Sequence, residues 1–563
     1  PDGMTGGAIG AKPCAMPVAR ILFVLPLPEP FDYAVPEGMD VSIGSYVTAP
    51  LGHTERLGVV WGLLGDEAAE GRELKPVLSV YPTPPMPTAM REFIMWAAKY
   101  TVSHPGHVLG MTLRARGGLT PSPTETVFHL TGEEPKKLTD TRRRLLDAAE
   151  EVGAVNAATL AAAAGVSSGV VKGLVSAGAL RAQEMAADLP FALPLPDIPG
   201  ADLTAEQAEA AEALKIAMRA GGFAAFLLDG VTGSGKTEVY FEAIAEALRA
   251  DPDAQVMVLL PEIALTQAIL SRFEQRFGAA PAPWHSGLSD KERRRTWRET
   301  AHGRARIVIG ARSALFLPYA NLKLIIVDEE HDGSYKQEDG VTYHARDMAV
   351  MRAKLEGAGV VLASATPALE TMVNAEAGRY TRLMLAARPG MARLPDVELV
   401  DLRSAPPEKN HWLSPHLIHA LKETLAAGEQ SLLFLNRRGY APLVICKACG
   451  ERLKTPGTEN WLTEHRYSGR LVCHVTGYSI PKPSACPACG AKDSLIGVGP
   501  GVERVAEEVR VLMPDARIEI FSSDTAMGGE ATRGIIERME AGEIDVLIGT
   551  QIVAKGHNFP NLT

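Results

Sequence analysis

One stretch constrains this chain more than any other: Gly230-Val-Thr-Gly-Ser-Gly235-Lys236-Thr237, which satisfies G-x-x-x-x-G-K-[ST] without a substitution. An apolar run at 223–228 precedes it and a helical pattern at 238–250 follows. In that order, strand, loop and helix turn successive backbone N–H groups toward a phosphate at the positive end of the helix. Gly230, Gly233 and Gly235 permit the tight path, Lys236 adds a point charge and Thr237 offers an oxygen to Mg²⁺. A strand that feeds a crossover helix returns parallel to itself, so the chain should build a parallel sheet flanked by helices. Further apolar runs at 256–260, 306–309, 324–327 and 360–363 alternate with helical text, and a second series appears at 432–435, 517–521 and 546–548. The expectation is an α/β multidomain protein with two parallel-sheet lobes in tandem.

The run at 324–327 ends in Asp328-Glu329-Glu330-His331. Alone this would read as a solvated acidic turn. With a P-loop upstream, Asp328 is placed to hold Mg²⁺ through its water shell and Glu329 to take a proton from an attacking water. The residues themselves point to nucleotide hydrolysis assisted by Mg²⁺.

A length of 563 residues exceeds one domain. The 57 Lys and Arg against 67 Asp and Glu leave a net charge of -10. No global basic field attracts nucleic acid or an anionic membrane, so such contacts must come from local patches and backbone amides. Apolar runs fall far short of the roughly 18 residues that span a bilayer. The first sixteen residues also lack a charged segment followed by an apolar one. A soluble, cytoplasmic protein without a membrane partner is expected. Pro1 is not an initiator Met, and both ends are expected to be cut. Of six cysteines, five lie between Cys446 and Cys489. Cys446-x-x-Cys449 and Cys486-x-x-Cys489, followed by Gly450 and Gly490, are two knuckles whose four thiolates suit one tetrahedral structural Zn²⁺.

Residues 18–118 read as a β-rich module, with apolar stretches at 21–25, 46–47 and 58–63, Pro/Gly turns between them and a helix at 90–100. Pro-rich text at 119–124 closes it. Residues 137–188 hold three short helical patterns at 141–152, 157–164 and 167–180, with Ser167 or Ser168 as cap and Gly165 as stop, a spacing that resembles a winged helix. Its recognition helix carries only Lys172 as a cation, so a packing module stands beside base reading as the alternative. After a Pro-rich linker at 189–199, lobe 1 is expected at 200–390 and lobe 2 at 391–563, with the zinc insert at 444–492.

Asp328-Glu-Glu-His331 resembles the motor of superfamily 2, DExH-type helicases. Val361-Leu-Ala-Ser364-Ala365-Thr366-Pro367 is similar to the motif that couples hydrolysis to lobe movement. Gly310-Ala-Arg312-Ser313 and Pro261-Glu262-Ile263-Ala264-Leu265-Thr266-Gln267 resemble motifs that grip a single strand. Leu435-Asn436-Arg437-Arg438-Gly439-Tyr440, the cysteine insert directly after it, and Gly549-Thr550-Gln551-Ile-Val-Ala-Lys555-Gly556-His557 narrow the resemblance to bacterial replication-restart helicases, over residues 18–563.

That resemblance implies tandem RecA-like lobes, an N-terminal domain binding a 3′ DNA end, a winged helix and a zinc insert. It makes the nucleotide ATP, and implies an ATP-dependent helicase moving 3′ to 5′ that recognises stalled or abandoned forks and initiates primosome assembly. Its partners would be forked and single-stranded DNA, primosome proteins and single-strand-binding protein. Gln207 in Leu203-Thr-Ala-Glu-Gln207 would contact adenine, and is equally suited to close a capping box on Thr204. Arg312 and Ser313 would touch DNA. Tyr335, Lys336 and Tyr343, with Arg346, would form an aromatic-rich loop sensing DNA, the tyrosines stacking on bases; the alternative is buried aromatics. Phe31, Asp32 and Tyr33, with Gly52 and Lys75, would form the 3′-end pocket, an aromatic stacking the terminal base and Asp32 accepting from the 3′-OH. On their own, Phe31 and Tyr33 read as strand-core residues.

Two departures stand out. The family carries two further cysteine pairs and a second zinc, whereas only Cys473, with His465 and His474, lies between the knuckles here, so one zinc per chain is expected. The motor's last motif, Q-x-x-G-R-x-x-R, is expected beyond Thr563, so this chain is expected to bind ATP but turn it over poorly. A non-hydrolysing fork-binding scaffold is the alternative function, and an RNA-directed motor a further one.

Overall fold

The computed structural model describes residues 17–65, 73–133, 135, 137–261, 267–388, 395–408, 411–435, 443–465, 469–473, 475–522, 529–550, 553 and 559–563. Most of the 261–267, 435–440 and 549–557 motifs, and His474, lie outside these residues. The chain divides into two compact units, residues 1–262 with 270–390, and residues 263–269 with 391–563.

A seven-stranded sheet organises the first unit. Its strands lie in the order Ala282–Trp284, Ile307–Gly310, Gln255–Leu259, Leu322–Asp328, Gly359–Ser364, Ala224–Gly230 and Thr381–Leu385. Every neighbouring pair is parallel. Helices cover both faces, which is why the strands read as unbroken apolar runs: Val256, Met257, Val258 and Leu259 are all fully buried. Asp328 lies opposite Ala363, and Ser364 opposite Asp229. The register therefore brings three motif-bearing strand ends to one edge, where α/β sheets bind ligands.

The N-terminal module is a five-stranded antiparallel sheet in the order Phe31–Ala34, Val18–Phe23, Thr54–Leu64, Tyr46–Leu51, Ser79–Val80. It shares a core with the seven-stranded lobe rather than standing apart. Trp297, fully buried, meets Tyr46 edge-on at 5.7 Å and donates its indole N–H to Thr112 O at 2.7 Å. Phe93 packs on Phe316 at 5.5 Å, and the buried Arg352 guanidinium donates to Leu315 O at 2.8 Å beside Met90.

The helical module packs helices Asp140–Val152, Ala157–Ala163 and Ser168–Ser176 around Leu145, Leu160, Val171 and Leu174, and the third stops short of the expected 180 because Leu180 opens the strand Leu180–Ala186. Ser167 is the N-cap residue of the third. Its expected start at 137 is corrected to 124, because Thr124–Leu130 pairs along its whole length with Leu180–Ala186 as part of the wing sheet. That strand's partner lies some fifty residues away, and its own text, TETVFHL, is too polar to announce it.

In the second unit, Ser431–Phe434, Val546–Gly549 and Ile518–Phe521 form a parallel sheet, backed by helices Pro415–Ala426 and Val502–Leu512 through Leu421, Val505, Val509 and Ile548. The cysteine insert is closed by an antiparallel ladder of Leu443–Cys446 with Leu495–Val498, so it extends past the expected 492. No single described helix is long and apolar enough to cross a membrane.

Candidate nucleotide site, DNA-end cluster and metal centre

The P-loop leaves strand Ala224–Gly230 and enters helix Lys236–Ala250. Gly233 and Gly235 have φ of 79° and 81°, the left-handed region that L side chains avoid. A Cβ on Gly230 would meet Ser234 Oγ at 2.5 Å. Lys236 Nζ donates to Gly230 O at 2.9 Å, folding the charge back across the loop where a phosphate would sit. Thr204 and Gln207 do close a capping box. The Gln207 amide also donates to Ser234 O at 2.7 Å, so its side chain is engaged with the P-loop itself.

Across the sheet edge, the Asp328 carboxylate accepts from Tyr240 O–H at 3.1 Å and from Glu329 N–H at 3.0 Å. Burial, reinforced by the neighbouring Glu329 charge and opposed by Lys236, pushes its pKa up to about 6. Tyr240 also meets Thr237, so one hydroxyl bridges both expected Mg²⁺ positions. Glu329 adopts φ 49°, a strained conformation for a non-glycine residue, at the position expected to activate water. Nδ1 of His331 lies 2.8 Å from Ser364 Oγ, which also accepts from Thr366 N–H at 3.0 Å.

Sequence reasoning overlooked Glu330, although it sits inside the acidic cluster. It is fully buried, accepts from Ala368 N–H at 2.7 Å and Thr371 O–H at 2.8 Å, and faces Arg346 at 3.5 Å. It therefore ties the strand end of Asp328 to the Ser364-to-Pro367 turn and to the segment ending at Arg346. Tyr240 was equally invisible, reading as an ordinary apolar helix position.

The structure corrects the placement of both loop tyrosines. Tyr335 is buried, its hydroxyl within reach of Asp328 O at 2.6 Å and Leu259 O at 3.0 Å. Tyr343 is buried edge-on against Phe316 at 5.4 Å. Neither ring can stack on a base in this arrangement, because both fill space beside the sheet. Lys336 remains exposed. Arg312 donates to Ser334 O at 2.9 Å and Lys336 O at 2.8 Å, tying the loop to the start of the 3₁₀ segment Arg312–Phe316, which includes Ser313.

At the N-terminal module, Phe31–Ala34 is an edge strand. Phe31 is 42% exposed, whereas Tyr33 is buried, edge-on to Phe23, with its hydroxyl on Pro50 O at 2.8 Å. A stacking role can therefore fall only to Phe31, and Tyr33 is corrected to a wall residue. Asp32 is held by Arg20 at 3.1 Å. Lys75 accepts Ala34 N–H on its carbonyl and donates from Nζ to Gly52 O at 3.3 Å. These bonds draw together positions that lie far apart in the sequence.

The sulfurs of Cys446, Cys449, Cys486 and Cys489 all lie within 4.8 Å of one another. Cys446 and Cys489 are 3.7 Å apart, and Cys449 and Cys486 3.8 Å. A tetrahedron with Zn–S bonds of about 2.3 Å has edges of about 3.8 Å, so the donor set fits a structural zinc. It is the one such cluster among the described residues.

An ATP-driven helicase motor is what the first unit's strand edge can serve. Residues 204–375 match the DEAD/DEAH box helicase family, and residues 20–114 match the 3′DNA-binding domain of PriA. The chain is 36% identical to Replication restart protein PriA of Rickettsia conorii over 549 residues, covering 97% of this chain and 73% of that protein. To the Haemophilus influenzae protein of the same name it is 34% identical, covering 97% and 76%. The Bacillus subtilis protein shares 42% over 362 residues, 64% of this chain and 45% of that one. The chain belongs to the PriA family of replication restart proteins.

Proposed function

We propose that this chain is an ATP-dependent DNA helicase, moving 3′ to 5′, that recognises stalled or abandoned forks by a free 3′ end and initiates primosome assembly. The observation that carries this reading is the shared core, in which Trp297 meets Thr112 and Arg352 meets Met90, joining the module that bears Phe31, Asp32, Gly52 and Lys75 to the ATPase lobe. Binding at an end is thereby mechanically coupled to the motor.

In this reading Lys236 exchanges Gly230 O for the β- and γ-phosphates, Thr237 and Asp328 hold Mg²⁺, and Glu329 takes the proton of the attacking water. Mg²⁺ held by Thr237 and Asp328 would supply positive charge against the developing negative charge of the transferred phosphoryl group. His331 and Glu330 relay the state of the strand end to the Ser364 turn. Phe31 stacks the terminal base and Asp32 accepts from the 3′-OH. Arg312, Ser313 and Lys336 meet the DNA backbone, and Gln207 reads adenine once released from Ser234. The zinc insert, Cys446, Cys449, Cys486 and Cys489, serves primosome proteins and single-strand-binding protein.

The test compares ATP hydrolysis stimulated by forks with a 3′-OH or a 3′-phosphate at the junction, and by a matched RNA. Stronger stimulation by the 3′-OH fork, lost in Asp32→Ala, is expected. Equal stimulation by all three would sink the end-recognition reading.

A further inference from the structure

The cysteine insert repeats one backbone turn four times. In each, the amide of the first residue bonds the carbonyl five residues on: Cys446 to Glu451 at 2.8 Å, Thr455 to Asn460 at 2.8 Å, Cys473 to Tyr478 at 2.8 Å and Cys486 to Ala491 at 2.9 Å. In three of them a left-handed glycine follows the fourth position, Gly450, Gly477 and Gly490, with φ of 73°, 73° and 72°. Each returns its amide to the first residue's carbonyl at 2.8 to 2.9 Å.

The side-chain acceptors repeat as well. Cys446 Sγ takes the amides of Ala448 and Cys449, and Cys473 Sγ takes those of Val475 and Thr476. At the fourth position, Cys449 Sγ takes the amide of Glu451. Its counterparts are hydroxyls: Thr458 Oγ1 accepts from Asn460 N–H at 3.2 Å, and Thr476 Oγ1 from Tyr478 N–H at 3.3 Å. Thr455 and Thr476 both face the Cys473 thiol. Thr455 Oγ1 is buried and has no conventional partner among the described residues. Leu453, Leu462, Leu471 and Cys473 share one small core with Cys446 and Cys486.

We propose that the Thr455 and Cys473 turns are a second pair of knuckles closed without metal, in which Thr455, Thr458, Cys473 and Thr476 stand where four thiolates would. A structural zinc takes thiolate, imidazole or carboxylate, and a neutral threonine hydroxyl is none of these. One thiol and three hydroxyls therefore do not fit a second ion. Cys473, Thr458 and Thr476 do satisfy amides of their own turns, as a folded knuckle requires once its metal is gone. The two turns keep the first-residue amide bond of the cysteine knuckles, and Thr455 and Thr476 already meet at the Cys473 thiol. The site is thus latent for a thiophilic divalent cation, needing only the donor atoms.

Metal content by elemental analysis, with Co²⁺ substitution as a spectroscopic count, tests both halves. One zinc per chain is expected for the unaltered protein, unchanged in Cys473→Ser. Two are expected for Thr455→Cys/Thr458→Cys/Thr476→Cys, with the thiolate-to-cobalt absorbance roughly doubled. Two zincs in the unaltered protein, or loss of metal in Cys473→Ser, would overturn the metal-free closure. A triple variant that keeps the first site's cobalt spectrum yet binds no second ion would overturn the retained geometry. If the triple variant does not fold, the Cys473→Ser measurement still decides the first half.

Discussion

Asp328→Asn should stabilise the metal-free protein while abolishing its ATPase. Asp328 sits at a strand end, half-buried and close to the Glu329 charge, and its pKa rises from 3.8 to about 6. The native state therefore keeps the proton longer than the unfolded chain as pH rises. Stability is lost between about 3.8 and 6 and is flat above that window. At 1.36 kcal/mol per pH unit the full loss is at most about 3 kcal/mol, less about 1 if the amide makes a poorer pair of bonds to Tyr240 and Glu329. In EDTA, urea unfolding of the first unit should place the variant about 2 kcal/mol above the parent at pH 7.5, with the gap closing near pH 4. ATP hydrolysis should fall to background, because a neutral amide holds Mg²⁺ poorly. A variant less stable than its parent at pH 7.5, or an equal gap at both pH values, would refute the electrostatic account.

Three other outcomes follow from the geometry. Tyr240→Phe removes the hydroxyl between Asp328 and Thr237, and should weaken Mg²⁺-ATP binding by about tenfold. Because that bond lowers the Asp328 pKa, the acid limb of the activity profile should also move up, as pH titration of initial rates would show. Trp297→Ala should cost about 3–5 kcal/mol and free the N-terminal module to limited proteolysis near 119–123, and an unchanged cleavage pattern would argue against a shared core. Asp188, fully buried, pairs with Arg294 at 3.0 Å and Arg298 at 2.9 Å. Asp188→Ala should cost about 3–5 kcal/mol by stranding Arg298, and Asp188→Leu/Arg298→Met should recover much of it in a thermal melt.

What could be read from the sequence was whatever chemistry is local along the chain. Gly230 to Thr237, Asp328 to His331 and the paired cysteines announce themselves because one turn or one strand end holds all the needed atoms. Positions defined by distant partners stayed hidden. Tyr335 and Tyr343 look like stacking aromatics until the sheet beside them is in place, and Tyr33 looks like Phe31 until Pro50 claims its hydroxyl. Glu330 reads as one carboxylate of a solvated cluster, and only Ala368, Thr371 and Arg346 make it a buried hub. The two hydroxyl-bearing knuckles escaped notice because the eye follows cysteine, whereas the turn is specified by backbone hydrogen bonds.

The sequence by itself determined the kind of machine: a P-loop between strand and helix, an acidic strand end and a thiolate pair on each side of an insert, each a short-range pattern whose spacing dictates its chemistry. Tertiary structure alone decided which aromatics face solvent, which carboxylate is lifted to about 6, and that the end-binding module is fused to the motor through Trp297 and Arg352. Burial and electrostatic coupling depend on neighbours brought from anywhere in the chain, and no local spacing records them.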